Sequence, residues 1–380
     1  RWAMLRGARL AAPQRAVLAI DDLQRVDGSS RAAFADVLDD PPPGASLLVL
    51  ATHTPGFDAG WSAQHAARVI AGLPASAVTR VLTPGRAGDR GAVLADVGVR
   101  GIAPLTVEQI LRFQQEGGSD PPVRLADVVS HRLNTLEPKA RRALQALGVL
   151  GDRVPSALLA EVIGKDGDVD ASVDLLVAGG WVTRTDGLLS TSHPLIRELV
   201  LGAIPAGVRR ELHARVVRAH DEREAPLEVR ALHAFYAQDT LEALLLLEQV
   251  AERAVARHDA AAAVVALRNA LELARQDVYR GELDDPMKAM AIFARKLGDA
   301  LIRTDAWSDA EGVLQEAMHV AGPTGTERAH LLATLARVAR GRERDAQAIG
   351  YIDQAIEVAR RSGSHELVST LASQRRAWAS

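Results

Sequence analysis

The most regular hydrophobic signal near the start of the chain is a pair of short apolar runs without alternation. Ala16-Val-Leu-Ala-Ile20 leads into Asp21-Asp22-Leu23-Gln24, and Ser46-Leu-Leu-Val-Leu-Ala51 leads into Thr52-His53. Such runs predict strands buried on both faces, the pattern of parallel sheets. Between them Gly28-Ser29-Ser30 opens a predicted helix over Arg31 to Leu38, stopped by Asp39-Asp40-Pro-Pro-Pro-Gly44. Strand, helix and strand in this order leave polar residues at the carboxyl ends of both strands, where open α/β sheets place ligand chemistry. After the loop Thr54 to Gly60, Arg68-Val-Ile-Ala-Gly-Leu73 is predicted as a further strand, and Arg1 to Arg15 as a short amphipathic helix with an Ala-Pro break.

Beyond residue 75 the period becomes helical. Residues 76–124 read as a small helical, lid-like region in which Gly101-Ile-Ala-Pro104-Leu105 precedes an amphipathic helix, Thr106 to Gln115. Pro104 also reads simply as a first-turn proline with Thr106 as the cap. Residues 125–221 carry predicted helices at Leu125–Leu133, Pro138–Leu150, Pro155–Ile163 and Ala171–Ala178. A hairpin follows, Trp181 to Thr185 and Leu188 to Ser192 joined by Asp186-Gly187. This is a winged-helix pattern, yet the helix that would enter a DNA groove is preceded by Asp166, Asp168 and Asp170 and carries Asp174. Those acids would meet phosphates with the wrong sign, so no DNA binding is expected of this element.

Residues 222–380 are predicted all-helical, with His233 to Ala256 as one segment or two and Asp259 to Gln276 as an Ala-rich helix. Three stretches echo one another, beginning at Ala260, Ser308 and Asp345. The small pairs Ala310/Ala317 and Ala348/Ala355 recur seven apart, where helices must approach closely. The interval from Ala317 to Ala355 is 38 residues, near the roughly 34 of a tetratricopeptide helix pair, whereas that from Ala270 to Ala317 is 47, so the array is irregular. Each pair buries its small-residue face only against a neighbour, which predicts a curved superhelix with a groove. The fold class reads as mainly α: an α/β part that looks like a partial P-loop domain, then a winged-helix domain, then an α-helical tetratricopeptide-like superhelix.

Composition narrows the function. The 380 residues are 48% hydrophobic but only 3% aromatic, which suits helices packed through small residues. Without cysteine there is no disulfide frame, thiol catalysis or cysteine-bound zinc. A net charge of −3 gives no electrostatic case for bulk nucleic-acid binding. No apolar run approaches a membrane span and no signal peptide opens the chain, so a cytoplasmic location is the default. Arginines outnumber lysines about ten to one, which reflects genomic base composition rather than function. The sequence contains no G-x-x-x-x-G-K-[ST] phosphate loop, since Gly164-Lys165 lacks the upstream glycine and is followed by Asp. Starting at Arg1 rather than Met favours a fragment whose phosphate-binding half lies upstream. The uncapped helix before Ser380 suggests that the array continues.

An apolar strand ending in paired acids resembles the Walker B element of nucleoside triphosphatases, although a plain strand end with solvated aspartates has the same pattern. Asp21-Asp22-Leu-Gln24-Arg-Val-Asp27, with the second strand and its Thr52-His53, is similar to STAND-class signal-transduction ATPases. These include large LuxR-type regulators and the C-terminal halves of bacterial multidomain Ser/Thr kinases. The resemblance spans nearly the whole chain and is strongest over residues 16–54 and 125–213. It implies Asp21 as the Mg²⁺ ligand, through water because Mg²⁺ keeps most of its hydration shell. It implies Asp22 as the group polarising the attacking water, and Thr52 and His53 as the first sensor of the γ-phosphate.

Gly101 to Leu105 resembles the family's Gly-x-Pro-Leu motif with the glycine displaced, making Pro104 a candidate adenine contact. His193-Pro194-Leu-Ile-Arg197-Glu198 resembles its His-x-Leu-Ile-Arg-Glu signature, which implies that His193 touches ADP phosphates; a helix cap is the other reading. Two departures stand out: Thr52-His53-Thr54 lacks the sensor arginine, and Arg25 replaces an aromatic. The family's arginine reaches the γ-phosphate as a charged donor that tells ATP from ADP, and this run does not supply one.

The resemblance implies a regulatory module using ATP or ADP with Mg²⁺, provided that a phosphate loop completes it. An inducer or protein partner would bind the repeats, with a nucleotide-dependent oligomer as the open state. Alternatives are a nucleotide-free scaffold and a transcription regulator whose DNA-binding domain lies elsewhere. No Ser/His/Asp set or metal cluster suggests a metabolic enzyme.

Overall fold

In this computed structural model the described residues are 16–26, 28–40, 47–61, 68–74, 77–78, 101–119, 122, 124–164, 169–221, 225–320 and 325–379. The predicted helix at 1–15 and the acids Asp166 and Asp168 lie outside them. The chain divides into two compact units between Leu111 and Arg112.

In the first unit β1 (Ala16–Ile20) and β2 (Leu47–Ala51) pair in parallel, with Ala16 opposite Leu47 and Ile20 opposite Ala51. Helix α1 (Gly28–Asp39) makes the crossover. The expectation of burial on both faces is not met: exposure alternates along both strands, and Val17, Leu48 and Leu50 are 60%, 48% and 56% exposed. With only two described strands paired, one pleat face stays uncovered, and the period of two imposes the alternation. Arg68 to Leu73 is not a third strand. Val69 and Ile70 are exposed, and only Leu73 bridges, antiparallel, to Ile102. The branched side chains have strand propensity but nothing to pack against, and packing decides. At that bridge the backbones nearly touch, since a Cβ on Gly72 would lie 2.7 Å from the Gly101 carbonyl carbon. Helix α2 (Pro104–Gln115) follows.

The second unit begins within α2 and continues with α3 (Leu125–Thr135), α4 (Pro138–Leu150), β3 (Val154–Pro155), α5 (Ser156–Ile163) and α6 (Val169–Ala178). The predicted hairpin is β4 (Val182–Thr185) and β5 (Leu188–Thr191), and the sheet runs β3-β5-β4, all antiparallel. Asp186 (φ 51°) and Gly187 (φ 76°) supply the two positive dihedrals of a tight hairpin turn. Trp181 is fully buried just before β4. The Arg132 guanidinium lies 4.5 Å from its ring centroid, donates to the Gly179 carbonyl and forks onto Glu116. Helices α7 (Pro194–Ala203) and α8 (Ala206–Asp221) then lead to the array.

The array comprises α9 (Leu227–Ala237), α10 (Thr240–Ala256), α11 (Ala260–Arg280), α12 (Pro286–Arg303), α13 (Trp307–Val320), α14 (Gly325–Gly341), α15 (Asp345–Arg361) and α16 (His365–Ala379). The stretch His233 to Ala256 is two helices, broken where Gln238 turns left-handed (φ 60°) and Asp239 caps α10. The three echoing stretches occupy α11, α13 and α15. Ala263, Ala270, Ala310, Ala317, Ala348 and Ala355 are all buried, as close helix approach requires.

Four inter-helix turns share one geometry. The N–H groups of Asp259, Ala306, Arg344 and Ser364 each donate to the carbonyl five residues back, across left-handed His258, Asp305, Glu343 and Gly363. This closure caps orphan carbonyls at each helix end. Successive second helices are also stitched by ion pairs of one register, Arg268–Asp309 at 3.0 Å and Arg275–Glu316. Antiparallel helix pairs of this kind form a tetratricopeptide-like repeat.

Candidate functional site

The carboxyl ends of β1 and β2 bring Asp21, Asp22 and Thr52 together. The Thr52 hydroxyl donates to Asp21 Oδ1 and accepts, at 3.0 Å, from the Asp22 N–H. The strand register makes this unavoidable, because Ile20 sits opposite Ala51 and the next residues must meet. Two backbone bonds continue the pairing past the strands, from Thr52 N to Ile20 O at 2.9 Å and from Leu23 N to Thr52 O at 2.8 Å. Leu23, fully buried, anchors the turn that follows.

Asp22 is left-handed (φ 53°, ψ 53°), a conformation that short polar side chains tolerate best among residues with a Cβ. Its Oδ1 accepts from Gln24 Nε2 at 2.8 Å, and Gln24 Oε1 accepts from Thr54 N at 3.3 Å. Arg25 Nε stands 3.8 Å from Asp22 Oδ2. His53 turns away from the acids: its Nδ1 lies 2.9 Å from the Thr54 carbonyl and its ring sits beside Phe57.

Two carboxylates and a hydroxyl are hard oxygen ligands of the kind Mg²⁺ takes when it keeps its waters and shares a nucleotide's phosphates. Alone they are too few for a metal cage, and among the described residues no group of three or more His, Cys, Asp or Glu could hold an ion. The residues present fit the metal side of a nucleotide site; a glycine-rich loop of N–H donors and its lysine are absent from the sequence.

The remaining candidates lie apart from this cluster in the chain. Pro104 is exposed and is the first residue of α2. The cap position is Ala103, whose carbonyl accepts from Thr106 and Val107, so Thr106 lies inside the first turn rather than capping it. His193, in the second unit, caps α7: its Nδ1 accepts from Leu195 N at 3.1 Å, which places any ring proton on Nε2. Arg197 Nε donates to the Gly148 carbonyl at 2.8 Å, tying α7 to α4. Asp174 pairs with Arg184 of the hairpin at 3.2 Å.

A buried polar cluster had no sequence signal. His213 on α8 and His233 on α9, 7% and 5% exposed, face each other with Nδ1 atoms 2.9 Å apart. Tyr236 and His220 stack around them, with ring centroids 5.1 Å from His213 and 5.8 Å from His233 respectively. Burial, then the charge of Arg209, lowers the His213 pKa to about 4. Burial, then His213, His220 and Arg197, lowers that of His233 to about 3. One ring donates and the other accepts, so both are neutral near pH 7. The residues lie 20 apart on different helices, a pairing that periodicity does not reveal.

No protein-family model and no curated protein matches the chain. A search of solved structures finds similarity to a signal-transduction ATPase with numerous domains, with a tetratricopeptide repeat sensor, from Pyrococcus horikoshii. The chain is similar to a STAND protein. Identity is 15% and the TM-score 0.45, over 93% of this chain. The chain spans 57% of the length of that STAND structure. Among the described residues no helix is long and apolar enough to cross a membrane.

Proposed function

We propose that this chain is the rear part of a STAND-type switch in which nucleotide state is coupled to occupancy of a helical-repeat sensor. Residues 1–75 act as the trailing half of a P-loop α/β domain, 76–124 as its lid, 125–221 as a winged-helix hinge and 222–380 as the sensor. The observation that carries this reading is the Thr52-bridged pair Asp21 and Asp22 at the carboxyl ends of parallel strands. In it Asp21 holds the Mg²⁺ of a bound nucleotide through water, and Asp22 orients a water toward the γ-phosphate.

Thr52 reports on the phosphate by exchanging its bond to Asp21, with His53 beside it. Pro104 packs at the adenine, and the free Nε2 of His193 donates to ADP phosphates in the closed state. Nucleotide shifts the balance between closed and open oligomeric forms only by its differential affinity for the two. An inducer or protein partner at the repeats acts by the same rule, in the cytoplasm, with a kinase or regulator as the output. The Asp174–Arg184 pair supports a hinge role for the winged helix rather than DNA binding, since the hairpin arginine is already paired with that acid.

A nucleotide-free scaffold is the second reading, favoured by Thr54 standing where a sensor arginine would be. Calorimetry decides between them in a protein that joins a phosphate-loop segment to this chain. The switch reading expects Mg²⁺-ADP to bind and Asp21→Ala to weaken it at least ~10-fold, the loss of one charge-assisted contact. Absence of binding, or binding indifferent to Asp21→Ala, leaves the scaffold.

A further inference from the structure

Between the first turns of α4 and the middle of α8, both in the second unit, lies a cavity of about 400 Å³. It is lined by the apolar Pro138, Val208 and Leu212 and by Arg141, Arg142 and Arg215 against one acid, Glu211. The three cations differ in how they are held. Arg141 donates through Nη2 to the carbonyls of Asn134 and Leu136, at 2.7 and 3.1 Å, while its buried Nε meets no acceptor among the described residues. Arg215 donates to the Ile163 carbonyl at 3.1 Å and shares Glu211. Arg142 reaches Glu211 only at 4.0 Å, with its side chain half exposed. Glu211 thus serves two guanidiniums with one carboxylate, and the Arg142 fork keeps donors to spare.

We propose that this cavity binds a small organic oxyanion, a phosphate or carboxylate borne on an apolar body, with Arg142 as the principal contact. The guanidinium fork matches either oxyanion bidentately. Pro138, Val208 and Leu212 receive the apolar part, and the volume suits a small-molecule ligand. Glu211 pairs with Arg215 and lies 4.0 Å from Arg142, so it competes with an anion for the guanidiniums. The site is built from α4 and α8 alone, both in the second unit.

Titration calorimetry of the full chain with pyrophosphate and with citrate, at ionic strength held constant with sodium chloride, tests this. Saturable binding is expected, weakened at least ~10-fold by Arg142→Ala as a charged bidentate contact is lost. Glu211→Gln removes the competing carboxylate and tightens binding ~3-fold or more. Asp21→Ala leaves it unchanged. Binding of pyrophosphate alone identifies a phosphate-bearing ligand, of citrate alone a carboxylate, and of both a general oxyanion site. No saturable binding, or affinities indifferent to Arg142→Ala and Glu211→Gln in variants with native circular dichroism, overturns the proposal.

Discussion

Acid should loosen the junction between α8 and α9. The perturbation is a fall in pH from 7.5 to 4.5. His213 and His233 carry folded-state pKa values of about 4 and about 3, below the 6.5 of an unhindered ring. A histidine with a depressed folded pKa costs nothing while both states are neutral, above pH 6.5. Below that the unfolded chain binds protons that the folded one refuses, so stability falls with pH down to the folded pKa. Each ring contributes about 1.4 kcal/mol per pH unit, and two rings over two units total on the order of 5 kcal/mol.

The mechanism is local. The contact at 2.9 Å needs one Nδ1 to accept, and protonation turns it into two facing donors in a buried site. Arg209, Arg197 and His220 supply further positive charge and no relief. The assay is urea unfolding followed by amide exchange in α8 and α9, for the wild type and for the double substitution His213→Leu with His233→Leu. Between pH 6.5 and 4.5 the wild type should lose stability more steeply than the double variant by about 2.7 kcal/mol per pH unit. Equal slopes in the two proteins would refute the reasoning, because every other titrating group is common to both.

Two further outcomes rest on the array. A Cβ at Gly341 would lie 2.3 Å from the Trp307 ring, so Gly341→Ala should force that ring aside. The expected cost is about 1–3 kcal/mol, read as a lower urea midpoint with altered tryptophan fluorescence. In the opposite direction, Glu343 holds a left-handed conformation at φ 60° in the turn between α14 and α15. Glu343→Gly should relieve strain of about 1 kcal/mol, partly offset by the entropy glycine adds to the unfolded chain, and so raise the thermal midpoint slightly. A fall in midpoint would show that the side chain, not the backbone, matters there.

Sequence made the local features legible and left the non-local ones dark. The hairpin from Trp181 to Ser192 could be read because Asp186-Gly187 encodes its own turn. The seven-residue spacing of buried alanines could be read because it stays within one helix. Burial of β1 and β2 could not, since Val17 and Leu50 are apolar whether or not something covers them. Arg68 to Leu73 failed for the same reason: strand propensity needs a partner strand. The shared turn geometry was hidden because His258, Asp305 and Glu343 have no residue type in common, although all are left-handed. Backbone closure to the carbonyl five residues back repeats where sequence does not. The ion pairs between α11 and α13 repeat at a separation of 41 residues that no helical period contains.

The acid pair shows how far a local pattern can be trusted. Five apolar residues before two aspartates locate a strand end, but they say nothing about where the carboxylates point. Register settles that. With Ile20 opposite Ala51, Thr52 falls beside Asp21 and its hydroxyl holds the carboxylate while accepting from the Asp22 N–H. A slip of one residue would bring Ala51 or His53 alongside instead, and neither could make both bonds: alanine has no hydroxyl, and the histidine ring reaches past them. The geometry of the two acids therefore belongs to the pairing of β1 with β2 rather than to either strand. Thr52 engages one of the two Asp21 carboxylate oxygens, Oδ1, so the pairing of the strands fixes how that acid is held.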